Sequence, residues 1–369
     1  MLYKKLSEER KRDGMRILYY TIFGGITLVA ALLAVAGFLT SYIHPQGKEW
    51  ISFPGLILLP VLGVNLLLFI GWWWAGSGWK WVPLGAIALN IGFLFSMFHI
   101  RITTPPPVPK EKQIKLITYN VNNFYTDGVF TLPAIAAWMQ IENPDIVCFQ
   151  ECPAESILSM DSIADAFSFL PYVCSTRSAS KGPGLAIFSR YPIEWCEPVL
   201  YPASLNQSLV AVLHIQGESV RIFNNHLQTT SVNSVKPRLY QARAEGNAQE
   251  GTQAAFQMAF KMKRNFVLRA DQADYVRQLI DYQSLPVIVC GDFNDTPASY
   301  AYHKIKGNLK DGFREAGSGF GYTFRQLKKL FRIDYVFYSP TFRAIRYDSP
   351  NLPFSDHKPV VCVLTRRAA

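Results

Sequence analysis

The chain has 369 residues, of which 49% are hydrophobic, 14% aromatic and only 17% charged, and its formal net charge is +10 at pH 7. The aromatic content excludes a disordered chain, and six cysteines spread over this length exclude a small disulfide-stabilised scaffold. The low share of charged residues indicates either a membrane-embedded part or one very apolar core.

The first hundred residues contain three long segments without Asp, Glu, Lys or Arg. Each is long enough to cross a bilayer, which takes about 20 helical residues. A buried helical hairpin and a signal peptide cleaved after Ala34-Val35-Ala36 are the alternatives, but the apolar run continues past that site and two further segments follow. We therefore predict a membrane anchor over 1–100 with three transmembrane helices, at about 17–40, 52–74 and 81–100.

Basic residues predict the orientation of this anchor. The two loops between the segments carry only Lys48 and Lys80, whereas six basic residues precede the first segment. Positively charged flanks stay in the cytoplasm, so three crossings give a multi-pass protein of the cell membrane with a cytoplasmic N-terminus and an extracytoplasmic remainder. The six are Lys4, Lys5, Arg10, Lys11, Arg12 and Arg16.

A proline-rich linker follows over 101–113. Four prolines within five residues favour a stiff, extended conformation. We expect this linker to hold the rest of the chain away from the bilayer.

Residues 114–369 have the pattern of one α/β domain. Short apolar runs rich in β-branched and aromatic residues are bounded by Gly, Pro, Asn and Asp. Some runs follow one another without a helix between them, which indicates mixed or antiparallel sheets. We predict strands at 115–119, 145–150, 184–189, 208–215, 219–224, 286–290, 333–339, 342–347 and 359–365, and helices at 132–141, 154–166, 253–283 and 298–305.

Polar side chains stand at the ends of these strands. Asn120, Glu151, His226 and Asp292 each end a predicted strand or follow it closely, with Asn294 two residues after Asp292. Other polar residues begin later strands, so all of them meet on one rim if those strands run in the opposite direction. The residues at the strand starts are Asp334, Asp356 and His357.

Such a rim predicts metal-assisted chemistry on phosphate. Carboxylates and carboxamides without a thiolate cluster suit Mg²⁺, Mn²⁺ or Ca²⁺ rather than zinc. A cation beside imidazoles and amides can polarise a phosphate and activate water. Any one of these residues alone is more typical of a turn, a cap or a structural contact.

Seven separated blocks together resemble the endonuclease/exonuclease/phosphatase superfamily, whose fold is deoxyribonuclease-I-like. The resemblance covers about 114–366, and the blocks that match Gly-Asp-Phe-Asn, Ser-Asp-His and Gln-Glu in that family carry most of its weight. The blocks are Thr118-Tyr119-Asn120-Val121, Pro144-Asp145-Ile146-Val147-Cys148-Phe149-Gln150-Glu151, Phe188-Ser189-Arg190-Tyr191-Pro192-Ile193, Asn225-His226-Leu227, Gly291-Asp292-Phe293-Asn294, Arg332-Ile333-Asp334-Tyr335 and Ser355-Asp356-His357-Lys358-Pro359-Val360.

The resemblance implies a four-layered α/β sandwich, in which two mixed β-sheets are flanked by helices. It also implies that Glu151 is the principal ligand of Mg²⁺, or of Mn²⁺, with Asn120 and Asp356 as further metal ligands. These implications concern the family pattern and do not follow from the spacing of the residues alone.

The resemblance further implies five catalytic residues. Asp292 orients or deprotonates the attacking water, and Asn294 holds a phosphate oxygen. His357 contacts the scissile phosphate or acts as acid/base and is oriented by Asp334, while His226 donates to the phosphate or to the leaving oxygen. The chemistry is hydrolysis by in-line attack on phosphorus.

The chain departs from the family pattern after His226, where about 35 extra residues precede the Arg-x-x-Gln pattern matched here to Arg269 and Gln272. Between positions 236 and 269 there are seven basic residues and two acidic ones. This insert is either a basic helix that binds an anionic substrate or lipid headgroups, or a solvated surface helix.

The predicted function is that of a membrane-anchored, divalent-metal-dependent hydrolase of a phosphodiester, as in a nuclease, or of a phosphomonoester. The alternative is a phosphodiesterase of phospholipid headgroups or sphingomyelin. A non-catalytic scaffold is least favoured, because every expected site position is filled. The predicted partners are therefore the lipid bilayer and a phosphate-ester substrate, either nucleic acid or a phospholipid headgroup. A disulfide between Cys152 and Cys174 is a further hypothesis for an oxidising compartment.

Overall fold

The computed structural model describes residues 2–101, 106–176, 184–230, 236–326 and 329–367, so part of the predicted linker lies outside the described residues. An N-terminal helical bundle (residues 2–97) precedes a layered α/β sandwich. The helices are α1 (Leu2–Thr40), α2 (Ser52–Leu56), α3 (Leu58–Trp74), α4 (Trp81–Leu89), α5 (Ile91–Met97), α6 (Leu132–Glu142), α7 (Met160–Ala166), α8 (Lys236–Ala244), α9 (Ala248–Asp281), α10 (Tyr300–Lys306) and α11 (Gly312–Ala316).

The strands extend over most of the predicted apolar runs and add others that the sequence pattern missed, among them the eight-residue strand Ile193–Leu200. They are β1 (Phe98–His99), β2 (Gln113–Asn120), β3 (Tyr125–Thr126), β4 (Val129–Phe130), β5 (Ile146–Cys152), β6 (Tyr172–Ser175), β7 (Gly184–Ser189), β8 (Ile193–Leu200), β9 (Gln207–Ile215), β10 (Glu218–His226), β11 (Val287–Asp292), β12 (Lys310–Asp311), β13 (Gly319–Phe320), β14 (Asp334–Tyr338), β15 (Phe342–Asp348) and β16 (Val360–Arg366).

The bundle contains one straight helix that is long and apolar enough to cross a membrane, Ile17–Thr40 within α1. The other two predicted spans are bent pairs, Glu49–Leu56 with Leu58–Trp74 at 60° and Gly78–Leu89 with Ile91–Met97 at 55°. The prediction of three continuous helices is therefore wrong in form, and three crossings require that each bent pair make one span.

Local chemistry explains both bends. Pro60 lacks an N–H, and in a continuous helix its ring would clash with the carbonyl of Leu56, so the helix breaks just before α3. At the second bend, the side chain of Asn90 donates to the carbonyl of Ala86 (3.0 Å) and to that of Ala34 in α1 (3.1 Å). The bend thus lies where a polar side chain ties two helices together.

Two further polar contacts hold α1 in the bundle. The indole Nε1 of Trp72 donates to the hydroxyl of Thr27 (2.8 Å), and Nδ2 of Asn65 donates to the carbonyl of Ala30 (3.1 Å). Together with Ala34, these positions are spaced by three and four residues and share one face of α1. Hydrogen bonds therefore fix the register of α1 in an otherwise apolar bundle.

The remaining described residues form the four-layered sandwich that the family resemblance implies. Two six-stranded mixed sheets have the orders β15-β16-β2-β5-β7-β6 and β12-β14-β11-β10-β9-β8. Their inner faces share one buried core, which includes Leu116 and Ile187 of the first sheet and Ile222 and Ile288 of the second. Helices α6 and α7 cover the outer face of the first sheet, and α9 and α10 cover that of the second. The predicted α/β fold is confirmed.

Strand direction brings the polar strand ends to one rim. Strand β14 is antiparallel to β11, and β16 is antiparallel to β2. Asp292, the last residue of β11, is consequently paired with Asp334, the first residue of β14, and on its other side with His226. The predicted opposite direction of the later strands is therefore observed.

The bundle packs directly on the sandwich, contrary to the expected separation by the linker. Nε2 of His44 lies 3.3 Å from a carboxylate oxygen of Asp271, and the ring of Phe53 meets that of Phe266 edge to face at 5.3 Å. Strand β1 pairs with β13, so the backbone itself joins the two regions. Apolar, ionic and backbone contacts therefore join the bundle to the sandwich at this junction.

The basic insert forms α8 and the first half of α9. Lys263 faces the bundle, with Nζ 3.4 Å from a carboxylate oxygen of Glu49 and 4.5 Å above the ring of Trp50. Lys261 and Arg264 on the same helix are exposed. One of the basic residues therefore serves the junction and is not part of a free basic face.

A disulfide joins Cys174 in β6 to Cys196 in β8. These are the edge strands of different sheets, so the bond ties the two sheets together. The predicted partner Cys152 is instead buried in the core beneath α6 and α7, and the hypothesis of a Cys152–Cys174 bond is wrong.

Candidate active site

A glycine allows β11 to approach β10 closely at the rim. Gly291 has φ +121°, and a Cβ at this position would lie 2.0 Å from the carbonyl oxygen of Asn225. Only glycine fits such a contact and such a backbone conformation. Asp292, the next residue, is therefore placed beside His226.

Two site residues have left-handed backbone conformations that are uncommon for residues with a side chain. Glu151 has φ 56° and Asn294 has φ 54°. Glu151 lies within the register shift between β5 and β7, a bulge that redirects a side chain. Asn294 is held by its N–H, which donates to Asp292 (2.8 Å), and by its Nδ2, which donates to the carbonyl of Leu227 (3.0 Å). Strain of this kind is typical of functional sites.

Asn120, Glu151, His226 and Asp292 form the first part of the site. Nδ2 of Asn120 donates to Oε1 of Glu151 (2.9 Å) and to Oδ2 of Asp292 (3.0 Å). Nε2 of His226 lies 3.4 Å from the same Glu151 oxygen and 3.8 Å from the same Asp292 oxygen. Glu151, His226 and Asp292 present one ligand atom each within 4.8 Å of one another.

His357 forms the second part of the site. Its Nδ1 donates to Oδ2 of Asp334 (3.0 Å), and its Nε2 lies 3.7 Å from Oδ2 of Asp292. Burial by itself would lower the pKa of His357, but the carboxylates of Asp334 and Asp292 hold that pKa well above its ordinary value. The ring is therefore oriented by Asp334, and the neighbouring carboxylates favour its protonated form.

Burial has the opposite effect on two carboxylates. It raises the pKa of Asp292, against the attraction of His357 and His226. It also raises the pKa of Asp356, to which Glu151 and Asp292 add repulsion. Concentrated negative charge is thus costly at this rim unless a cation accompanies it.

The structure brings seven of the eight predicted residues into one connected set and places Asp356 at its margin. The carboxylate of Asp356 accepts from Nε2 of Gln326 (3.3 Å) and belongs to neither of the two compact groups of ligand atoms. His226, predicted as a donor to the phosphate or to the leaving oxygen, lies beside Glu151 and Asp292 among the possible metal ligands. These roles remain predictions.

The set fits a divalent cation. Three carboxylates of this set face two imidazoles, and Asp356 adds a fourth at the margin, so negative charge is in excess even with His357 protonated. His226 is 1% exposed, yet neither of its ring nitrogens has a hydrogen-bond partner among the described residues. Buried polar atoms are rarely left without partners in a native structure, so a missing ligand is the simplest explanation. The carboxylates are Glu151, Asp292, Asp334 and Asp356.

The sequence analysis missed several residues that support the active site, and it identified others only by their match to the family pattern. The loop after His226 is fixed by Gln228, whose carbonyl accepts from Nε of Arg269 (2.8 Å) and whose N–H donates to Oε1 of Gln272 (2.7 Å). Arg269 also pairs with Asp295 (2.7 Å). The Arg-x-x-Gln pattern therefore positions the active-site loop.

Buried polar residues also join the two sheets beneath the site. Nε2 of Gln150 donates to Oδ1 of Asn224 (2.7 Å) and to the hydroxyl of Thr118 (2.9 Å). Ser355 donates to the carbonyl of Asn120 (2.7 Å) and accepts from the N–H of His357 (3.2 Å). A polar residue within an otherwise apolar strand was the available signal for Gln150 and Asn224.

Known proteins resemble the chain in sequence profile and in fold. The profile of the endonuclease/exonuclease/phosphatase family matches residues 117–357, and a second profile, described as a domain of unknown function, matches residues 20–97. No curated relative matches the chain.

Among solved structures, the endonuclease/exonuclease/phosphatase from Beutenbergia cavernae is 20% identical, with 69% of this chain and 72% of that chain covered and a TM-score of 0.51. The human nocturnin catalytic domain with bound sulfate is 18% identical, with 69% and 95% covered and a TM-score of 0.49. A family protein from Bacteroides thetaiotaomicron is 21% identical, with 69% and 95% covered and a TM-score of 0.46. At these identities the likeness to solved structures concerns the fold alone. Because the family profile matches well over half of the chain, the protein belongs to the endonuclease/exonuclease/phosphatase family.

Proposed function

We propose that the protein is a membrane-anchored phosphoesterase that depends on Mg²⁺ or Mn²⁺ and hydrolyses a phosphodiester, as a nuclease does, or a phosphomonoester. The observation that carries this proposal is the buried cluster of Glu151, His226 and Asp292, in which neither nitrogen of His226 has a hydrogen-bond partner among the described residues. The excess of carboxylates suits a hard divalent cation and argues against a site that binds an anion without a metal.

Glu151, which belongs to this cluster, would hold the cation, with Asn120 and the marginal Asp356 as the further ligands that the family pattern implies, and the cation would polarise the phosphate and stabilise its developing charge. The residues of the chain supply the remaining chemistry. Asp292 accepts hydrogen bonds at the centre of the cluster and is placed to orient the attacking water. Asn294, fixed by two hydrogen bonds, presents its remaining amide hydrogen to a phosphate oxygen.

Protonated His357 adds positive charge beside the reacting phosphate. Its Nδ1 is engaged by Asp334, so Nε2 is the nitrogen that faces Asp292 and the substrate. A fixed imidazolium in a water-poor site stabilises a phosphoryl oxygen more strongly than the same group does in bulk water. His226 contributes either to the cation or to the leaving oxygen.

Turnover by the full chain tests this proposal. We would reconstitute the protein and offer single- and double-stranded DNA, RNA, phosphoinositides, inositol phosphates and sphingomyelin with Mg²⁺, with the Glu151→Gln variant as the matched control. Hydrolysis of at least one substrate by the wild type alone supports the proposal. No turnover of any phosphate ester, with Mg²⁺ or with Mn²⁺, contradicts it.

Three observations support membrane anchoring with an extracytoplasmic catalytic domain. One helix is long and apolar enough to span a bilayer, and basic residues precede it. The sandwich contains the Cys174–Cys196 disulfide, a bond that persists mainly in oxidising compartments. A reporter that works only in the cytoplasm can be fused after Ala369 to test this topology. The fused reporter should be inactive, and activity would contradict an extracytoplasmic catalytic domain.

A phospholipid-headgroup phosphodiesterase is the second candidate, and helix α9 favours it. Arg269 and Gln272 on this helix hold the loop of the active site, while Lys263 and Phe266 contact the bundle. One helix therefore separates the catalytic loop from the membrane anchor. Faster hydrolysis of a headgroup in vesicles than of the same headgroup on a soluble short-chain lipid supports this candidate.

A further inference from the structure

A cavity lies at the junction between the bundle and the sandwich, with a volume of about 190 Å³. Its lining includes apolar side chains from the bundle, among them Phe38, Leu58 and Phe93. Basic side chains from the sandwich, Lys306 of α10 and Arg314 of α11, line it from the other side. Apolar groups and cations therefore meet in one cavity.

The two cations have no counterion among the described residues. Nζ of Lys306 donates to the carbonyl of Gly307 (3.2 Å), and no described carboxylate forms an ion pair with Lys306 or Arg314. The carboxylate of Asp311 acts on Lys306 from nearby, but its two oxygens are bound by Arg332. Lys306 is half-buried and Arg314 is exposed, and no carboxylate among the described residues pairs with either.

The positive charge also affects the pKa values of neighbouring groups. Burial, with Arg314 and Lys310 adding repulsion and Asp311 opposing, lowers the pKa of Lys306. Burial together with the charges of Lys306 and Arg314 lowers the pKa of His303 to about 4. An anion in the cavity would relieve the repulsion between these groups.

The position of the cavity identifies the kind of anion. Phe38 belongs to the last turn of α1, which ends at Thr40, and this is the end of the candidate span that faces the sandwich. A free anion needs only the cations, whereas a phospholipid uses both halves of the cavity. Its phosphate meets Lys306 and Arg314, and its glycerol and first acyl carbons meet the apolar lining.

We propose that this junction cavity binds the phosphate headgroup of an anionic phospholipid, at a site separate from the catalytic cluster. The inference rests on the proposed membrane anchoring, and basic pockets beside membrane helices commonly bind anionic headgroups. A bound lipid would stabilise the junction, because it would contact the bundle and the sandwich at the same time.

The thermal stability of the full chain tests the site. In detergent, dioleoylphosphatidylglycerol at about ten times its Kd should raise the Tm by roughly 2 °C, whereas phosphatidylcholine should not. The Lys306→Gln/Arg314→Gln double variant should lose this shift. The Lys112→Gln/Arg343→Gln variant, with the same change of charge outside the cavity, should keep it, and Arg314→Gln alone should weaken it if the double variant does not fold.

Each contrary outcome overturns a defined part of the inference. An equal shift with phosphatidylcholine, or a shift that survives in the double variant, overturns the headgroup site. An equal Tm shift with inorganic phosphate at the same concentration would show that the cavity binds a free anion, and it would overturn the proposal of a phospholipid. Flotation with vesicles separates the two proposals, because a chain that does not float contradicts the anchoring itself, whereas one that floats without a lipid-specific shift contradicts only the cavity.

Discussion

Two buried charged clusters lie on either side of one short motif, Arg332-Ile333-Asp334-Tyr335, and they are completed in different ways. Arg332 and Asp311 are both fully buried and joined by two hydrogen bonds of 2.5 and 2.8 Å. Asp334, two residues further on, belongs to the catalytic cluster through His357. The motif therefore connects a structural ion pair with an active site.

The first cluster is balanced in charge. Arg332 also donates to the carbonyl of Ser96 in the bundle (2.9 Å), and the hydroxyl of Tyr302 donates to Asp311 (2.6 Å). One arginine thus matches one aspartate and links the sandwich to the bundle. The catalytic cluster has more carboxylates than cations and leaves the nitrogens of His226 without partners among the described residues. Balanced buried charge indicates a structural role here, and unbalanced charge indicates a ligand.

The largest expected effect is the loss of activity when residues of the catalytic cluster are replaced. Glu151→Gln and His357→Ala should each lower kcat/KM for a generic phosphodiester by about 10²–10⁴-fold, because one removes metal-binding charge and the other a positioned acid. Circular dichroism should be unchanged. His214→Ala, which removes an exposed imidazole beside Glu194, is the control and should retain activity. Near-wild-type rates in either variant would refute the assigned site.

The next effect concerns stability at the balanced cluster. Arg332→Met should destabilise the protein by about 3–5 kcal/mol, because it leaves the carboxylate of Asp311 buried without its cation. The paired change Arg332→Met/Asp311→Leu should recover much of this loss. Chemical denaturation of the purified full chain measures both.

An exposed pair provides the matched control. Arg346→Met removes an exposed partner of Asp348, and exposed pairs contribute about 0–1 kcal/mol. Equal losses in the free energy of unfolding for Arg332→Met and Arg346→Met would show that the buried pair stabilises the protein no more than an exposed pair does.

Metal removal should distinguish the clusters by ligand-dependent stability. EDTA should inactivate the enzyme, and Mg²⁺ at about 100 times its Kd should restore activity and add about 2.7 kcal/mol to the free energy of unfolding. Glu151→Gln should show little of this stabilisation, whereas Arg346→Met should show all of it. Equal stabilisation of the Glu151→Gln variant would place the cation elsewhere.

A smaller effect follows from acid titration of the balanced cluster. Burial alone would raise the pKa of Asp311, but the Arg332 guanidinium holds it below its ordinary value. Because the folded pKa is below the unfolded value of about 3.9, the stabilisation is present above about pH 5 and is lost as the pH falls through the folded pKa. The Tm difference between the wild type and Asp311→Asn should therefore be constant from about pH 5 upward and shrink below about pH 4. A difference that grows in acid would contradict the lowered pKa.

The sequence by itself determined most of the central strands and the polar residues at their ends. Short apolar runs rich in β-branched and aromatic residues mark strands locally, and a polar residue directly after such a run marks a strand end, as at Asn120, Glu151, His226 and Asp292. Antiparallel later strands could be foreseen from Asp334 and His357 at strand starts. Such signals depend on neighbours within a few residues, which is why they can be recognised in a single chain.

Only the tertiary structure decided which of these groups touch and how the two regions join. The disulfide partner of Cys174, the place of Asp356 at the margin of the site and the docking of the bundle all depend on residues far apart in the chain. The hydrogen bond from Arg332 to Ser96 spans 236 positions. No local pattern encodes such contacts, because their stability comes from burial and charge pairing that exist only when the chain has folded.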